Sequence, residues 1–376
     1  MDVRPRLASL DALRGFAIAS MVLVNNPGDW NHLYPPLGHA RWNGWTFTDL
    51  VFPLFLFAAG LAMTLSLGRR ARDGAPRSAL VVDAWRRAAV IFLVGLALNF
   101  IPAFDPATVR IPGVLQRIAL CVAIAAPIVI VWGWRGSIAA IALLFAAYSL
   151  PMLLVPVPGA DGLVAAGRLD PGNDFGAWVD RGVFGVHLWS QSRTWDPEGL
   201  VSTLPAAASL LFGVLAGYYV LADSPRDRAP VMAVAGVVLL VLGIAMDAFF
   251  LPINKNLWTP SYTVFMTGWS LLALALFHAF LDESKPPLRD RMRAACLPLT
   301  IFGMNALFLF AFSGLVARLL GVIAVGDTRL KAWLYAPIRA LPIAPENASL
   351  AFAVLFELAM FAVAWFMWKK RWFIKA

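Results

Sequence analysis

Runs of about 20 apolar residues recur along almost the whole sequence, and this pattern restricts the fold more than any other feature. The hydrocarbon core of a bilayer is about 30 Å thick, so a helix that crosses it needs about 20 mainly apolar residues. The chain is 60% hydrophobic and 14% charged, whereas soluble domains are about 45–50% apolar and about 25% charged. Strands of a membrane β-barrel would alternate polar and apolar residues, and these runs do not. The pattern therefore predicts an all-α polytopic membrane protein.

Residues 1–376 are interpreted as a single transmembrane domain with about ten membrane helices. The predicted helices cover residues 12–26, 48–68, 80–101, 112–132, 137–155, 201–222, 230–251, 260–281, 296–317 and 349–368. Asp11 and Arg14 interrupt the first apolar run, and no small-residue cleavage site follows it cleanly. We therefore expect the first helix to stay in the protein and not to be cleaved as a signal peptide.

The net charge of +9 is distributed in a way that indicates membrane orientation. Of the Lys and Arg residues, 19 lie in short segments on one side of the predicted helices and 10 lie on the other side, over longer loops. Because cytoplasmic loops carry an excess of Lys and Arg, this bias places both termini in the cytoplasm. Loops 26–47, 156–200 and 318–348 then face outward. Basic residues at helix ends do not form the continuous patch that binds nucleic acid, so no nucleic-acid partner is expected.

The two cysteines, Cys121 and Cys296, lie far apart in or beside apolar runs, and we interpret them as buried, inert thiols. No cluster of His, Cys and carboxylate residues has the spacing of a metal site, and no P-loop is present. A GxSxG nucleophile motif is absent as well. We expect neither a disulfide framework nor a metal.

The stretch 25–60 is the strongest candidate for chemistry, because it places polar and ionisable groups directly before an apolar helix. An ionisable group at membrane depth costs roughly 2.5–3.5 kcal/mol on insertion scales, so it is a functional candidate by default. His39 is predicted to act as a base or as an acyl-accepting nucleophile, with a structural role in the loop as the alternative. Asp49 either fixes the tautomer of His39 or caps the helix that follows. Asn25 can polarise a carbonyl, and His32 is the main rival of His39.

The segment RIPGVLQR, residues 110–117, opens a predicted helix on the outer side. Arg110, the Gln116 amide and the positive end of the helix can stabilise developing negative charge. Arg117 lies about 10 Å further into the membrane by helix rise, where it needs a partner. A buried structural ion pair is the alternative interpretation for Arg117.

The 156–200 loop is long, and such loops are uncommon unless they have a function. Its aromatic side chains mixed with carboxylates suit a sugar-like acceptor, while a belt of Trp at the membrane surface is the alternative. Binding of the acceptor is assigned to residues on this outer side, namely Asn43, Trp195, Asp196, Glu198, Lys255 and Asn256.

A series of motifs, in order along the chain, is similar to that of a known family. The motifs are SLDALRGF (9–16), LVNN (23–26), HARWNGWTFTDLVFP (39–53), RIPGVLQR (110–117), WVDR (178–181), WDPEGL (195–200), INKNLW (253–258) and GMNALF (303–308). With these motifs the sequence resembles the transmembrane acetyltransferases typified by the lysosomal heparan-α-glucosaminide N-acetyltransferase, and it looks like a bacterial member.

The resemblance implies that acetyl moves from cytosolic acetyl-CoA to an amino sugar or glycan on the periplasmic side. His39 holds the place of the family's essential histidine, and Asn25 holds that of its active-site asparagine. Binding of acetyl-CoA, the acyl donor, is assigned to Arg110, Gln116, Arg117 and Lys375. The expected location is the bacterial inner membrane, with lipids and the glycan acceptor as partners and a homodimer left open.

Two other functions stay open on the sequence alone. Ten helices with polar residues at membrane depth are also typical of a transporter or flippase for a polar sugar or glycan. A glycan O-acetyltransferase would need the same base and the same oxyanion site, so the sequence does not separate an amine acceptor from a hydroxyl. Direct transfer and an acetyl-His39 intermediate are both compatible with these residues.

Overall fold

The structure, a computed structural model, describes residues 7–101, 103–222 and 227–374, and its regular structure is almost entirely helical. Lys375, which the sequence assigns to acetyl-CoA, lies outside the described residues. The described helices are α1 (Ala8–Asn25), α2 (Phe47–Met63), α3 (Arg69–Arg72), α4 (Arg77–Phe100), α5 (Val114–Leu154), α6 (Phe175–Phe184), α7 (Leu200–Leu221), α8 (Ala229–Phe249), α9 (Pro260–His278), α10 (Leu288–Ala295), α11 (Leu297–Met304), α12 (Ala306–Val322), α13 (Leu330–Arg339) and α14 (Pro345–Lys369). Two antiparallel pairs of very short strands are β1 (Val157–Pro158) with β2 (Val164–Ala165), and β3 (Ala324–Val325) with β4 (Thr328–Arg329). Short 3₁₀ turns occupy Pro35–Leu37 and Gly185–His187, and π-helical turns occupy Thr64–Gly68 and Ala279–Glu283.

The helices confirm an all-α membrane protein, while the number ten and the orientation of the termini stay predictions. Within the described ranges, seven helices are long and apolar enough to cross a membrane, or eight if α11 and α12 form one bent span. The predicted helices 112–132 and 137–155 are the two arms of α5, which meet at a kink at Gly133, where φ is 60°. Glycine suits this left-handed conformation because it has no Cβ.

The prediction of one continuous helix over 296–317 is corrected by a sharp break at Asn305. The axes of α11 and α12 differ by 81°, and Asn305 lies between them in a non-helical conformation. Its side-chain amide donates to the carbonyl of Trp372 at 2.9 Å and accepts from the N–H of Ile374 at 2.8 Å. The side chain of Asn305 therefore binds the segment that follows α14, at the point where α11 and α12 separate.

Helix α2 lies in the buried centre of the bundle, packed against α1, α7 and α9. The crossing with α7 is close because both helices present glycine there. A Cβ on Gly60 would lie 1.8 Å from the carbonyl oxygen of Leu210, and one on Gly213 would lie 1.9 Å from that of Phe57. Small residues let helix backbones approach and pack in a membrane, where lipid is as apolar as the side chains.

The loops predicted to share the outer side meet at one end of the bundle. Tyr34 donates to the side chain of Asn347 at 2.5 Å, and Trp42 donates to the carbonyl of Leu169 at 2.8 Å. At the opposite end, the N–H of Ser9 donates to Asp282 at 3.1 Å, joining the start of α1 to the end of α9. The first loop therefore packs against the segment between β2 and α6 and against the first turn of α14.

Candidate active site

The loop between α1 and α2 is folded around the carboxylate of Asp49. This side chain is buried, and its Oδ1 lies 2.7 Å from Nδ1 of His39. Its Oδ2 accepts hydrogen bonds from the backbone N–H groups of Ala40 and Thr46, each at 3.0 Å. The bond from Thr46 belongs to a capping box at the start of α2. The same carboxylate of Asp49 therefore caps α2 and holds His39. The sequence had offered these two roles as alternatives.

The contact with Asp49 decides which nitrogen of His39 is available for chemistry. An ionised carboxylate is only an acceptor, so the hydrogen of the neutral imidazole lies on Nδ1, facing Asp49. Nε2 then carries the lone pair that can accept a hydrogen bond or a proton. The side chain of His39 is 44% exposed while that of Asp49 is 1% exposed, which places an accessible imidazole on a buried, fixed support.

Lys255 belongs to the same cluster, although it lies 216 positions further along the chain. Its Nζ lies 3.3 Å from both ring nitrogens of His39 and 4.0 Å from Oδ1 of Asp49. Burial lowers the pKa of Lys255, and the negative charges of Asp49 and Glu198 oppose this shift. An ammonium, an imidazole and a carboxylate are thus joined in one hydrogen-bonded group.

A backbone bridge between two loops brings Lys255 to His39. The N–H of Gly44 donates to the carbonyl of Ile253 at 2.7 Å, and the side chains of Asn43 and Asn254 are bonded at 3.0 Å. Gly44 has φ +93°, and no atom lies within 4 Å of the position that a Cβ would occupy. Glycine is therefore favoured here by the backbone conformation and not by a lack of room for a side chain. Asn43, predicted to bind the acceptor, joins the two loops and is not among the residues that line the large cavity described below.

A cavity of about 650 Å³ opens beside this cluster. It is within the range of about 300–1,000 Å³ that is usual for small-molecule sites. Apolar side chains of α1, α2 and α12 form part of its wall. The predicted site residues that line it are Asn25, His39, Arg110, Trp195, Glu198, Lys255 and Asn256. The structure therefore brings together residues from five separate motifs of the sequence.

Arg110 holds one side of this cavity through two carboxylates. Its guanidinium contacts Asp196 and Glu198, both at 2.5 Å. Asp196 also accepts from the N–H of Trp189 at 3.0 Å. Burial would raise the pKa of Glu198, but the positive charges around it, Arg110 first, lower the value below its ordinary range. Asp196 thus supports the wall, while Glu198 and Arg110 reach the cavity itself.

Two other predicted residues lie away from the large cavity. Arg117 is buried, with its guanidinium 4.9 Å from the centroid of the Trp258 ring and bonded to Ser202 and to the carbonyl of Gly199. Within the part of the chain that the structure describes, these contacts are a cation–π contact and hydrogen bonds and not the direct ion pair of the alternative interpretation; binding of acetyl-CoA by Arg117 stays a prediction. Gln116 lines a second cavity of about 420 Å³, which shares Asn25 and Arg110 with the first.

His32, the rival of His39, forms a similar but more exposed pair. Its Nδ1 lies 2.8 Å from Oδ2 of Asp29, with the side chains 44% and 27% exposed. It lines a small pocket of about 20 Å³ and is not among the residues that line the large cavity. The combination of a buried partner and an adjacent cavity distinguishes His39.

Sequence reasoning missed several cavity residues and the position of Lys255 beside His39 and Asp49. Trp30, Trp189 and Gln191 line the large cavity, and Arg318 lines the second one. Arg318 had a usable signal, because it lies in the apolar run GLVARLLGV, and an arginine at such a position is a functional candidate.

Comparison with known proteins agrees with the resemblance inferred from the motifs. Residues 6–169 match the family model described as heparan-alpha-glucosaminide N-acetyltransferase, catalytic. The chain is 28% identical over 333 residues to the heparan-alpha-glucosaminide N-acetyltransferase of Homo sapiens. It is 27% identical over 332 residues to that of Mus musculus. Each alignment covers 74% of this chain and 49% of the relative, so the chain spans about half the length of these curated relatives. The predicted resemblance is confirmed.

Proposed function

We propose, on the premise that the resemblance extends to chemistry, that this protein is a membrane acetyltransferase. It transfers acetyl from acetyl-CoA supplied by the cytoplasm to an amino sugar or glycan on the periplasmic side. The observation that carries the proposal is the His39–Asp49 pair, joined by Lys255 at the wall of a cavity of about 650 Å³. This arrangement offers a base, a support for the base and a cation in one place.

The proposed reaction is acyl transfer to an amine. The nitrogen of the acceptor attacks the carbonyl carbon of the thioester, and Nε2 of His39 takes the proton that the nitrogen loses. As the tetrahedral intermediate collapses, the new C–N bond remains, the C–S bond breaks, and CoA leaves as the thiolate. The imidazolium of His39 returns its proton to that sulfur. Asp49 holds the ring through Nδ1 and stabilises the positive charge that forms on it.

Lys255 and Asn25 are proposed to stabilise the oxyanion. The Nζ of Lys255 lies 3.3 Å from Nε2 of His39. When the substrates bind, this ammonium is proposed to move its hydrogen bond to the thioester oxygen, which leaves the lone pair of Nε2 to take the proton of the acceptor. Asn25 ends α1 at the cavity wall and has a side-chain amide that can donate a second hydrogen bond. Preorganised donors aimed at developing charge are usually the largest single contribution to such reactions.

The opposite wall is proposed to bind the acceptor. Trp189 and Trp195 lie edge to face, with ring centroids 5.5 Å apart, and both line the cavity together with Gln191 and Glu198. Aromatic faces with neighbouring amide and carboxylate groups suit the apolar faces and hydroxyls of a sugar ring. Glu198, kept ionised by Arg110, can accept a hydrogen bond from the acceptor.

The direct test is mass spectrometry of acetylated products after purified protein is incubated with acetyl-CoA and a panel of amino sugars and their hydroxyl analogues. We expect wild-type protein to acetylate an amine, and His39→Ala to lose transfer while still binding acetyl-CoA. The matched His32→Ala protein should keep acetyl transfer. A folded His39→Ala protein with full transfer would exclude His39 from the mechanism.

Two further measurements separate the remaining alternatives. An acetyl-His39 intermediate would release CoA from acetyl-CoA in the absence of an acceptor, whereas direct transfer would not. A transporter would accumulate sugar in sealed vesicles without consuming acetyl-CoA, and CoA would not raise its melting temperature. Vesicles of defined sidedness also test whether acetyl-CoA is used from the cytoplasmic face.

A further inference from the structure

Lys255 lies in a tight turn that precedes α9 and is closed at Trp258. The N–H of Trp258 donates to the carbonyl of Lys255 at 3.0 Å, and the N–H of Thr259 donates to that of Asn254 at 3.2 Å. The direction in which the turn presents Lys255 to His39 therefore depends on the backbone at the end of the turn.

Trp258 has a backbone conformation that its residue type rarely adopts. Its φ is +50°, in the left-handed region where a bulky side chain is an outlier. The residue is completely buried. Strain of this kind persists only where the surrounding structure over-determines the conformation, and it is concentrated at functional sites. The contacts of the indole ring therefore have to hold this residue in place.

The indole ring of Trp258 contacts side chains from four helices. Its Nε1–H donates to Oγ of Ser209 in α7 at 3.1 Å, and the guanidinium of Arg117 in α5 lies 4.9 Å from the ring centroid. Phe52 of α2 and Tyr262 of α9 pack edge to face against it, with ring centroids at 5.1 Å and 5.3 Å. The ring is thus held from four sides, and the turn is held with it.

The same contacts join the turn to the helix that carries Asp49. Tyr262 is also completely buried, and its hydroxyl donates to the backbone carbonyl of Asp49 at 2.5 Å. Phe52 lies about one helical turn after Asp49 in α2 and lines the large cavity. Trp258 therefore packs against two side chains next to Asp49, although it is not among the residues that line that cavity.

We propose that Trp258 is a positioning residue for Lys255, because it fixes the turn against α2 and so holds the ammonium beside His39 and Asp49. The inference rests on the proposed function, in which this ammonium stabilises the oxyanion. A displacement of about 1 Å by a substitution away from the chemistry can lower a rate about 100-fold. A loosened turn is therefore expected to lower kcat with little change in KM for acetyl-CoA.

The test is a double-mutant cycle between Trp258→Phe and Lys255→Met in the acetyl transfer assay. Phenylalanine keeps an aromatic ring in the core but is smaller than tryptophan and loses the bond to Ser209. We expect Trp258→Phe to lower kcat about tenfold or more, but less than about threefold in Lys255→Met protein, because the ammonium that it positions is already absent. Trp269→Phe is the matched control and should keep kcat, since Trp269 also lies in α9 but packs against Trp45. Equal losses in the two backgrounds, or no loss in either, would overturn the inference.

Two further variants separate the ring from the backbone. Trp258→Gly suits the left-handed conformation but lacks the ring, so kcat should fall, and added indole should restore part of it by filling the apolar space that is left. Ser209→Ala removes only the hydrogen bond of the ring, so it tests the same inference if the larger changes prevent folding. Its smaller loss of kcat should again disappear in Lys255→Met protein. Folded Trp258→Gly protein with the kcat of the wild type would overturn the inference.

Chemical labelling of Lys255 keeps this test separate from that of the proposed function. Without substrates, acetic anhydride should modify Nζ of Lys255 faster in Trp258→Phe than in wild-type or Trp269→Phe protein, because the amine is no longer held against His39 and Asp49. Mass spectrometry of the labelled peptide measures the rate, and an equal rate in all three proteins would overturn the inference. Absence of acetyl transfer by the wild type would refute the proposed function alone, since the labelling would still decide whether Trp258 holds Lys255.

Discussion

The sharpest test of the proposed mechanism is Asp49→Asn, because the structure decides how the new amide must lie. Oδ2 of Asp49 accepts two backbone N–H groups, from Ala40 and Thr46. The carbonyl oxygen of the asparagine has to take this position, since an NH₂ group there would oppose two donors. Each lost hydrogen bond is worth about 0.5–1.5 kcal/mol, and unsatisfied buried groups cost more. The amide nitrogen is therefore directed at Nδ1 of His39.

An amide nitrogen can only donate, so Nδ1 of His39 becomes the acceptor and the ring hydrogen moves to Nε2. The lone pair of Nε2 that takes the proton of the acceptor is then lost. General bases contribute typically 10²–10⁴-fold, so we expect kcat of Asp49→Asn to fall by about that factor with little change in overall structure. The assay is acetyl transfer under saturating acetyl-CoA, followed by mass spectrometry of the product.

Asp29→Asn is the matched control, because Asp29 holds His32 by the same kind of contact at 2.8 Å in the same loop. Asp49→Asn also removes the nearest carboxylate of Lys255, so thermal unfolding and acetyl-CoA binding are measured alongside, and Asp49→Asn/Lys255→Met restores charge balance. We expect this double variant to remain inactive. Folded Asp49→Asn protein with kcat within threefold of wild type, or an equal loss in Asp29→Asn, would refute the reasoning about the tautomer.

Three further predictions follow from the geometry. Lys255→Met should lower kcat about 100-fold or more if the ammonium stabilises the oxyanion, with partial rescue by Lys255→Arg; equal activity of Met and Arg variants in a transfer assay would contradict this role. Burial raises the pKa of Asp180 from its ordinary 3.8 to about 7, so the folded protein keeps a proton that the unfolded chain releases, and the stability present at low pH is lost as the pH rises through about 7. The free energy of unfolding of the wild type should therefore fall between pH 5 and 8, by up to about 3 kcal/mol, and Asp180→Asn should make it depend less on pH. If the slope of stability against pH were the same in wild type and variant, Asp180 would not be its source. Gly213→Ala should destabilise the protein by about 1–3 kcal/mol through overpacking against α2, while Gly321→Ala, where nothing lies within 4 Å, should not; equal melting temperatures for the two variants would contradict the close crossing.

Much of the candidate site follows from the sequence because its signals are local. His39 and Asp49 lie ten residues apart before one apolar helix, and polar groups beside apolar runs are conspicuous in any short window. The predicted sidedness of the loops also limits which polar segments can meet, since residues at the outer ends of helices gather at one face. Asn25, Arg110, Glu198 and Lys255 line one cavity for this reason.

The partners within that face depend on packing that no window of sequence contains. Lys255 meets His39 only because the N–H of Gly44 bonds to the carbonyl of Ile253, and this bridge requires α2 and α9 to lie side by side. The sequence places Arg117 inside the bundle, as the structure does, but its contacts with Trp258 and Ser202 come from two other segments of the chain.

The sequence by itself determined the class of fold, most of the long apolar helices and the polar stretches, because the need to bury apolar side chains and satisfy every backbone group in lipid acts residue by residue. It did not predict α6 and α13, which lie within the predicted loops 156–200 and 318–348. Only the tertiary structure decided the break at Asn305, the ammonium beside the imidazole and the hydrogen bond between Arg318 and Asn99. Each of these arises where elements distant in the chain meet. Close packing sets the rotation and depth of the helices, and so sets which of their few polar side chains come within hydrogen-bond distance.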